Sequence, residues 1–312
     1  MILVTGGSGY VGSHIVRRLA KAGKPVRALV RDRSRAEREG RLKRLPVDWR
    51  VGDVLQPDTL SPAMQGAQAV VHTVAIAIEK GRHSYEEVNL QGTVNVVEAA
   101  KAAGVSRFIF LSQLGASADL PFRFLASKGR AEDYVAASGL EWTAFRPAVI
   151  WGPEDEFANS FARLVPLTPL IFPIVGGEQS RFQPVWIEDV VSCVVQAVGN
   201  PATAGKVFEL GGPEVLTLEQ IERRTLQALG ARRLMLRFPM PLLRIVVALM
   251  EALLPAPPVT RGLLELLAVS NVTDHNSLGE FVAQPRAFTA QAAAEYMRSF
   301  RARDTLAQFL GR

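Results

Sequence analysis

The feature that most constrains the fold is a group of glycines directly after a short apolar segment at the start of the chain. Residues 2–5, Ile-Leu-Val-Thr, predict a buried strand, and Gly6, Gly9 and Gly12 follow at three-residue intervals. From Tyr10 onward the apolar residues have helical spacing. A strand, a glycine turn and a helix in this order bring free backbone N–H groups and the positive end of a helix dipole together. This order predicts a site for the pyrophosphate of a dinucleotide.

The residues of this turn have distinct physical roles. Gly6 permits the tight turn off the strand, Gly9 lets the backbone approach a pyrophosphate, and Gly12 allows the helix to pack closely on the strand. Tyr10 and Val11 begin the helix, where backbone N–H groups have no partner within the helix. The sequence therefore predicts Gly6, Gly9, Tyr10, Val11 and Gly12 as cofactor-binding residues.

The end of the second predicted strand, residues 24–30, distinguishes between two cofactors. An acidic residue near this point binds the ribose hydroxyls of NAD(H), whereas an arginine binds the 2′-phosphate of NADP(H). Arg31 occupies the strand-end position, and Asp32 follows it. A charge-assisted hydrogen bond contributes about 1.5–3 kcal/mol, which corresponds to a preference of about tenfold or more. The sequence favours NADP(H), and Asp32 keeps NAD(H) as the alternative.

Positive charge is concentrated in this part of the chain. Residues 17–50 contain 13 basic and 4 acidic residues, whereas the whole chain has a net charge of +6. The local excess is typical of a phosphate site, of a solvated helix face, or of a surface that docks onto an anionic membrane or protein. Nucleic-acid binding is not predicted, because the sequence contains neither a known recognition module nor a basic strip with interleaved aromatic residues.

Strand and helix patterns alternate through the first half of the chain. After the first two strands, the patterns predict strands at residues 47–51, 69–73, 107–112 and 141–145 and helices at 85–103 and 127–138. Helical crossovers make neighbouring strands parallel. We therefore predict an α/β fold with a Rossmann-type doubly wound parallel sheet and a smaller, discontinuous C-terminal lobe.

Residues at the strand ends extend the predicted cofactor site, since ligands of such sheets bind outside the carboxyl ends of the strands. Asp53 and Val54 follow the third strand. Asp53 can accept a hydrogen bond from an adenine amino group, or it can serve only as a turn residue. Val74 and Ala75 follow the fourth strand, where small side chains let a cofactor pass.

The chain is long enough for two lobes, with 312 residues of which 48% are hydrophobic. We predict a nucleotide-binding domain over residues 1–152 and a mostly substrate- or partner-binding lobe over 153–312, from which residues at about 183–212 return to the main sheet. Residues 164–175 are apolar and contain three prolines, which excludes a long helix and predicts an apolar loop suited to a hydrophobic ligand. Residues 240–254 predict an apolar helix that is either buried or docked on a membrane surface or a partner.

Cysteine usage and the N-terminal sequence bear on localisation. The single cysteine, Cys193, is typical of a reducing compartment, and Met1 directly precedes a core strand, which leaves no room for a signal peptide. We expect a cytoplasmic protein, with a location peripheral to the inner face of a membrane as the alternative. The four histidines lack metal-ligand spacing, so no metal site is predicted.

These segments together resemble the extended and atypical short-chain dehydrogenase/reductase superfamily. The matching segments are residues 5–12, 52–53, 88–93, 110–112, 127–128 and 146–153. Two later stretches, at 177–190 and 208–217, are similar to the branch that contains the NADPH-binding accessory subunit of respiratory complex I and its bacterial relatives. The resemblance implies a nucleotide-binding role in respiratory-complex assembly or quinone-related metabolism. It also adds Ser112, Lys128 and Pro147 to the cofactor site.

The resemblance also indicates a change in the catalytic set. In active members of the superfamily a tyrosine is the general acid/base, and a lysine four residues later lowers its pKa and holds the nicotinamide ribose. Phe124 occupies the tyrosine position and Lys128 the lysine position. The hydroxyl position after the fifth strand falls on Gln113, or on Ser112 if the register shifts by one residue. Lys128 and Gln113 are therefore the remaining catalytic candidates.

Losing a positioned general acid removes about 10²–10⁴ in rate, so three functions stay open. The one we favour is an NADP(H)-binding protein whose nucleotide has a structural, sensory or assembly role. The second is an NAD(P)H-dependent oxidoreductase or epimerase that acts on a hydrophobic, quinone- or isoprenoid-like substrate or on a sugar nucleotide, with a lysine, a glutamine or water completing proton transfer. The third is a peripheral docking factor for a membrane or a respiratory complex.

Overall fold

The computed structural model describes residues 1–79, 83–174, 180–238, 240–254 and 269–297, together with Gly262, Leu264, Leu267 and Thr305. The chain divides into two compact units. The first unit contains Met1–Pro147, Ile187–Leu210 and His275–Gln284, and the second contains Ala148–Trp186, Gly211–Asp274 and Pro285–Arg312.

The described strands, in chain order, are β1 (Ile2–Thr5), β2 (Val26–Val30), β3 (Asp48–Val51), β4 (Ala69–His72), β5 (Arg107–Leu111), β6 (Glu141–Pro147), β7 (Ile150–Trp151), β8 (Ile171–Ile174), β9 (Arg181–Phe182), β10 (Val185–Trp186), β11 (Lys206–Leu210), β12 (Leu216–Thr217) and β13 (Leu234–Arg237). In the first unit, seven of them form a sheet in the order β11-β6-β5-β4-β1-β2-β3. All neighbours in this sheet are parallel.

The described helices are α1 (Tyr10–Lys21), α2 (Arg33–Glu39), α3 (Ser61–Met64), α4 (Gly92–Ala102), α5 (Arg123–Ala136), α6 (Ala158–Leu164), α7 (Ile187–Val198), α8 (Leu218–Ala228), α9 (Met240–Leu253), α10 (Leu278–Phe281) and α11 (Ala290–Ala294). A π-helix over Glu86–Gln91 leads into α4, and 3₁₀ turns cover Pro57–Thr59, Val165–Leu167 and Pro201–Thr203. None of the helices in the described ranges is long and apolar enough to span a membrane.

The strand order reverses next to β1, because the chain leaves β3 at one edge and returns to pair β4 with the other side of β1. Such a switch point opens a crevice outside the carboxyl ends of the two central strands. All residues of β2 and β4 are buried, as expected for a parallel sheet that is covered on both faces. The predicted Rossmann-type doubly wound fold is confirmed.

A hydrogen bond from His14 and an ion pair from Arg18, both to Glu188, hold α1 against α7 within the first unit. His14 Nδ1 lies 2.6 Å from Glu188 Oε1, and Arg18 Nη2 lies 2.5 Å from Glu188 Oε2. The hydrogen bond from His14, followed by that from Arg18, lowers the pKa of Glu188 to about 2 despite its partial burial. The N-terminal helix therefore has a second anchor besides the sheet.

In the second unit, the segment predicted as an apolar loop is partly ordered into regular structure. Residues 164–174 contain the 3₁₀ turn Val165–Leu167 and strand β8, and residue 175 lies outside the described residues. The loop prediction was wrong for β8, although the exclusion of a long helix is confirmed. Pro173 is tolerated there because β8 pairs with only one strand, β13, and a strand edge does not require an N–H donor.

Candidate functional site

The glycine turn after β1 has the geometry that its sequence predicts. Gly6 has a φ of +71°, a backbone conformation that glycine adopts without strain. Gly9 N donates to Gly6 O at 2.9 Å, and Gly9 is the N-cap of α1 with no side chain bonded to the helix end. A Cβ atom at Gly12 would lie 2.2 Å from Gly6 O. The turn and the first turn of α1, which contains Tyr10 and Val11, therefore pack so closely that only glycine fits at position 12.

A cleft at the carboxyl ends of β1, β2, β3 and β4 is lined by loops from all four strands. The predicted cofactor residues that line it are Gly6, Gly9, Arg31, Asp53, Val54, Val74 and Ala75. Tyr10, Val11, Gly12, Ser112, Lys128 and Pro147 lie in the same unit but are not among its lining residues. The structure thus brings seven of the thirteen predicted cofactor residues into one cleft, and the other six lie on α1, on α5 and at the ends of β5 and β6.

Three arginines follow β2, and the structure distinguishes one of them. Arg33 forms an ion pair with Glu37 at 2.8 Å, and Arg35 forms one with Glu39 at 2.9 Å. Arg31 is exposed, lines the cleft and has no acidic partner among the described residues. Its guanidinium therefore has no competing internal anion, which leaves it available for a phosphate group.

Asp32, which kept NAD(H) as the alternative cofactor in the sequence analysis, has a structural role. Its Oδ1 accepts a hydrogen bond from the backbone N of Arg35 at 2.9 Å, and Asp32 is the N-cap of α2. Capping satisfies one of the free N–H groups at the helix start. Asp32 does not line the cleft, whereas Arg31 does.

Asp53 lines the cleft and also stabilises its own turn. Its Oδ1 accepts from Leu55 N at 3.0 Å, and its backbone N donates to Thr59 Oγ1 at 3.0 Å. An ionised carboxylate has about four acceptor sites, so the turn bond leaves capacity for a ligand donor. Both interpretations of Asp53 from the sequence are therefore compatible with its position.

One basic residue beside the glycine turn was missed by sequence reasoning. Arg41 Nη1 donates to the carbonyl oxygen of Ser8 at 2.9 Å, and Ser8 lines the cleft between Gly6 and Gly9. Arg41 adds positive charge next to the turn. The available signal was the cluster of basic residues at 17–50. The sequence alone does not show which of these residues contacts the glycine turn.

Lys128 is buried in α5, with 2% of its surface exposed. Its Nζ donates to Leu111 O at 2.7 Å and lies 4.4 Å from the centre of the Phe110 ring. Burial lowers the pKa of Lys128 to about 7, although the nearby Glu132 carboxylate opposes the shift. Glu132, one helical turn along α5, is ion-paired with Arg146 at 2.6 Å. The amine is therefore fixed beside the carboxyl end of β5 and can change its protonation state near neutral pH.

Ser112 is the first residue after β5, and its backbone N donates to Phe145 O at 2.8 Å. The residue is 4% exposed, and its hydroxyl has no hydrogen-bond partner in the described part of the chain. A buried hydroxyl without a partner is costly and usually marks a functional site. Gln113 follows and is half-buried. The strand ends at Leu111, which favours Ser112 over Gln113 as the hydroxyl-bearing strand-end position.

Phe124 is the second residue of α5 and is half-buried. Its ring makes an edge contact with the ring of Tyr85, with 5.6 Å between the centres. The Tyr85 hydroxyl donates to Ala77 O at 2.9 Å, in the loop after β4. Phe124, which the resemblance places at the position of the catalytic phenol, has a ring without a proton donor, and the neighbouring Tyr85 hydroxyl is hydrogen-bonded to the backbone.

Two further residues that position these groups were missed from the sequence. Asn89, which is fully buried in the π-helix, accepts from Ile76 N at 2.8 Å and donates to Ser127 Oγ at 3.1 Å. A Cβ atom at Gly129 would lie 2.4 Å from Ala118 N, so the loop after β5 lies directly against α5 beside Lys128. The available signals were a glycine in a predicted helix and an asparagine between two apolar residues, Val88 and Leu90.

His72 and Pro147 are the last residues of β4 and β6, at the carboxyl end of the sheet. His72 Nδ1 lies 2.6 Å from Thr5 Oγ1 and its Nε2 lies 3.1 Å from Thr93 Oγ1. Burial, followed by the charge of Lys128, lowers the pKa of His72 to about 3, so the ring is neutral and structural. Pro147 ends β6, and its carbonyl accepts from Leu114 N at 2.9 Å, which holds the loop after Ser112.

Comparison with known proteins agrees with this geometry. A family model described as NAD(P)H-binding matches residues 6–161. This range includes the glycine turn, the cleft, Ser112, Phe124 and Lys128.

Two curated proteins illustrate the range of relatives. The mitochondrial NADH dehydrogenase (ubiquinone) 1 alpha subcomplex subunit 9 of Arabidopsis thaliana is 31% identical over 225 residues, which is 70% of this chain and 55% of the relative. The chain thus spans about half the length of that relative. Ceramide reductase of Caulobacter vibrioides is 29% identical over 252 residues, 81% of this chain and 78% of the relative.

Among solved structures, the fold is similar to that of a UDP-glucose 4-epimerase from Thermotoga maritima with UDP-glucose. The TM-score is 0.73 at 20% identity, and the match covers 98% of this chain and 99% of the epimerase. At this identity the similarity bears on the fold alone. The resemblance to the complex I accessory subunit is confirmed by sequence similarity, and the resemblance to extended short-chain dehydrogenases/reductases is confirmed by the fold.

Proposed function

We propose that this protein, which belongs to the NAD(P)H-binding family, holds NADP(H) for a structural, sensory or assembly role in a respiratory complex or in quinone-related metabolism. The observation that carries this proposal is the combination of a glycine turn and cleft suited to a dinucleotide with Phe124 at the position of the catalytic phenol. A phenylalanine ring can neither donate nor accept a proton. Binding of the nucleotide is therefore retained in this proposal, while tyrosine-dependent carbonyl reduction is not.

The residues present fit a dinucleotide. The first turn of α1 has uncapped N–H groups at the glycine turn, where phosphate oxygens are favoured. Ser112 has a buried hydroxyl without a partner among the described residues. The Lys128 amine donates a hydrogen bond to the carbonyl oxygen of Leu111, the residue before Ser112. When bound, the nicotinamide supplies or accepts a hydride. Lys128 and Ser112 would hold the nicotinamide half, and Arg31 and Asp53 the adenosine half.

Arg31 supports the phosphorylated cofactor. It is exposed in the cleft without an internal acidic partner among the described residues, whereas Asp32 is engaged as a helix cap. A guanidinium that binds a phosphate forms two parallel hydrogen bonds and contributes more than a neutral contact. This combination favours NADP(H) over NAD(H).

The cofactor assignment is tested with Arg31→Ala and with Arg33→Ala as its matched control. Arg33 carries the same charge two residues away but is paired with Glu37. Isothermal titration with NADPH and NADH is expected to give an NADPH preference that falls about tenfold in Arg31→Ala and stays unchanged in Arg33→Ala. An unchanged preference in Arg31→Ala would show that the 2′-phosphate is bound elsewhere or not at all.

The non-catalytic role is tested by turnover. Purified protein is incubated with NADPH and a panel of carbonyl compounds, quinones, azo dyes and sugar nucleotides, and oxidation of NADPH is followed by absorbance. The proposal expects tight NADPH binding with no turnover of the panel. Sustained oxidation that depends on one substrate class would replace the proposal with a reductase or epimerase function.

A second candidate function, an NAD(P)H-dependent reductase of a hydrophobic substrate, is favoured by one observation. Burial lowers the pKa of Lys128 to about 7, and a group with a pKa near the working pH is the best placed to transfer a proton. In this function Lys128 donates the proton that a tyrosine donates elsewhere, and Ser112 binds the substrate oxygen. The name of the Caulobacter relative, ceramide reductase, is consistent with it.

The two functions differ in the expected effect of Lys128→Arg. Arginine keeps the positive charge and hydrogen-bond donors but cannot lose its proton. For the reductase function, this variant is expected to bind NADPH while losing turnover and the pH dependence near 7. If turnover is detected and Lys128→Arg retains it with the same pH profile, Lys128 is not the proton donor.

A further inference from the structure

We propose that the second unit docks onto the surface of an anionic phospholipid bilayer through exposed apolar side chains of residues 170–171 and 234–253, hereafter the docking face. This inference is independent of the role of the nucleotide. Large apolar side chains scattered singly on a surface are normal, whereas their concentration in one region marks an interaction site. Of the thirteen large apolar residues exposed in the described part of the chain, ten belong to the docking face. Its segments are related in space because their inward-facing residues Phe172, Met235 and Val247 pack in one hydrophobic cluster.

Helix α9 contributes five of these residues. Leu242, Ile245, Val246, Leu249 and Leu253 are 43–76% exposed. Their spacing of three and four residues places them within about 100° of one another around the helix axis. Two other apolar residues of α9, Leu243 and Val247, are buried. The helix therefore has one apolar side packed against the protein and a second that faces outward.

Strands β8 and β13 contribute the remaining residues. Met235 and Phe172, which are register partners, pack inward, and Phe172 is 1% exposed. Leu234 and its register partner Ile171 are exposed instead, as is Leu236. The exposed set is completed by residues that flank the strands, Leu170 and Phe238. Parallel strands are normally covered on both faces, whereas the outward face of this parallel pair is apolar and exposed at Leu234, Leu236 and Ile171.

The positive charge around the docking face favours an anionic membrane as its binding partner. Residues 231–254 contain four arginines and one glutamate, a net charge of +3. Arg232 and Arg244 are exposed, and neither is ion-paired with an acidic residue among those described. Basic residues beside an exposed apolar helix face are typical of helices that lie in the headgroup region of anionic membranes.

A second copy of the chain is a poorer occupant than a bilayer. In an isologous dimer the same surface meets itself, so the arginines of one copy would face those of the other. A bilayer with anionic headgroups instead attracts them. With fourteen residues, α9 is about 21 Å long and cannot cross a hydrocarbon core of about 30 Å. The helix is therefore suited to lying in the interface rather than to spanning it.

The test is flotation of the full chain with two kinds of vesicle at low salt. One is pure phosphatidylcholine, and the other contains phosphatidylglycerol as the anionic component. We expect the protein to float with the phosphatidylglycerol vesicles and to stay largely at the bottom of the gradient with pure phosphatidylcholine. Absence of flotation with phosphatidylglycerol vesicles would overturn the proposal.

Matched variants separate the docking face from a general effect of charge. Ile245→Asp combined with Leu249→Asp places two charges on residues that are 59% and 56% exposed. Val51→Asp combined with Val215→Asp makes the same change at residues that are 60% and 52% exposed outside the docking face. We expect the first pair to lower vesicle binding about tenfold or more and the second to lower it much less. Equal losses would show that net charge, not the docking face, controls binding.

Additional measurements keep the result interpretable. Circular dichroism and NADPH titration of each variant report whether the fold and nucleotide binding persist, so loss of flotation with retained NADPH binding concerns the docking face alone. Arg232→Ser combined with Arg244→Ser is expected to weaken binding to phosphatidylglycerol vesicles. Light scattering without lipid provides the remaining test. If the wild type is a dimer that dissociates in the Ile245→Asp, Leu249→Asp variant, a second copy of the chain is the occupant of the docking face. That result would overturn the proposal of a bilayer.

Discussion

The glycine turn after β1 and the segment after β5 lie at the carboxyl ends of strands in the same sheet, yet they are built from different chemical groups. The turn offers backbone N–H groups and a helix end, and its shape depends on the absence of side chains at Gly6 and Gly12. The segment after β5 depends on the identity of individual buried side chains, Lys128 and Ser112.

The difference explains how nucleotide binding and proton transfer can separate during evolution of a fold. Backbone N–H groups are supplied by every residue except proline, so the turn depends on its glycines and not on the chemistry of particular side chains. Proton transfer depends on one group with a suitable pKa at one position. Phe124, which the resemblance places at the position of the phenol, lies in α5 and not in the glycine turn, so the two regions can be tested independently.

The largest effect is expected from Gly12→Ala. The added Cβ would lie 2.2 Å from Gly6 O, a backbone atom that can move away only if the turn changes. Overpacking of this kind costs about 1–3 kcal/mol even where neighbours can adjust, and we expect the variant to lose measurable NADPH binding in calorimetry. Gly199→Ala is the control, since a Cβ there meets nothing within 4 Å. Unchanged affinity in Gly12→Ala would contradict the phosphate site.

Phe124→Tyr is expected to have the next largest effect. If the geometry of an ancestral reductase survives, the restored phenol four residues before Lys128 should raise NADPH oxidation about a hundredfold or more with a suitable carbonyl substrate. Phe122→Tyr, another half-buried phenylalanine near the start of α5, serves as the control and should have no effect. A tyrosine at 124 without any gain in rate would indicate that more than the phenol has been lost.

Lys128→Met tests the buried amine through the pH dependence of stability. The pKa of Lys128 is about 7 in the folded protein and 10.5 in the reference state, so between these values the unfolded chain binds the extra proton. The stability of the wild type relative to Lys128→Met should then rise by about 1 kcal/mol per pH unit from pH 7 to 10.5 and stay flat below 7. Urea unfolding across this range measures it. A flat difference throughout would mean that Lys128 is not desolvated.

The smallest effect is expected from Glu188→Gln, which weakens the anchor of the phosphate-site helix α1. The Glu188 side chain is 35% exposed, so solvent screening limits the loss to about 1 kcal/mol at pH 7. The pKa of Glu188 is lowered from 4.5 to about 2. Its contribution is therefore present above pH 4.5 and is lost as the pH falls toward 2. Glu37→Gln, in an exposed ion pair, should change stability little, and an equal loss there would remove the special role of Glu188.

Much of the nucleotide site could be predicted from the sequence because its signals are local. A glycine turn between a strand and a helix specifies its own backbone geometry, and the residues at the ends of β2, β3 and β4 could be placed because parallel strands end at a common edge. The proposed preference for NADP(H) rests on contacts that the sequence does not reveal. Only the helix cap formed by Asp32 and the ion pairs of Arg33 and Arg35 distinguish Arg31 from its neighbours.

The chemistry after β5 was less predictable because it depends on contacts between distant segments. The resemblance placed Phe124 and Lys128, but the low pKa of Lys128 results from burial that no local pattern reveals. The choice between Ser112 and Gln113 depends on where β5 ends. Asn89 is hydrogen-bonded to Ser127, which is 38 residues away in the chain. Gly129 packs against Ala118, which lies in the irregular loop after β5.

The amino-acid order alone was enough to predict the doubly wound sheet, the glycine turn and the apolar helix at residues 240–254, and to place a phenylalanine four residues before Lys128. These depend on periodicity, on backbone freedom and on residue identity, which are properties of short segments. Folding was required to decide which arginine after β2 has no acidic partner among the described residues, which amine is buried away from water and which side of α9 faces outward. Burial and pairing depend on what the rest of the chain brings to a residue, and that is not encoded within its own segment.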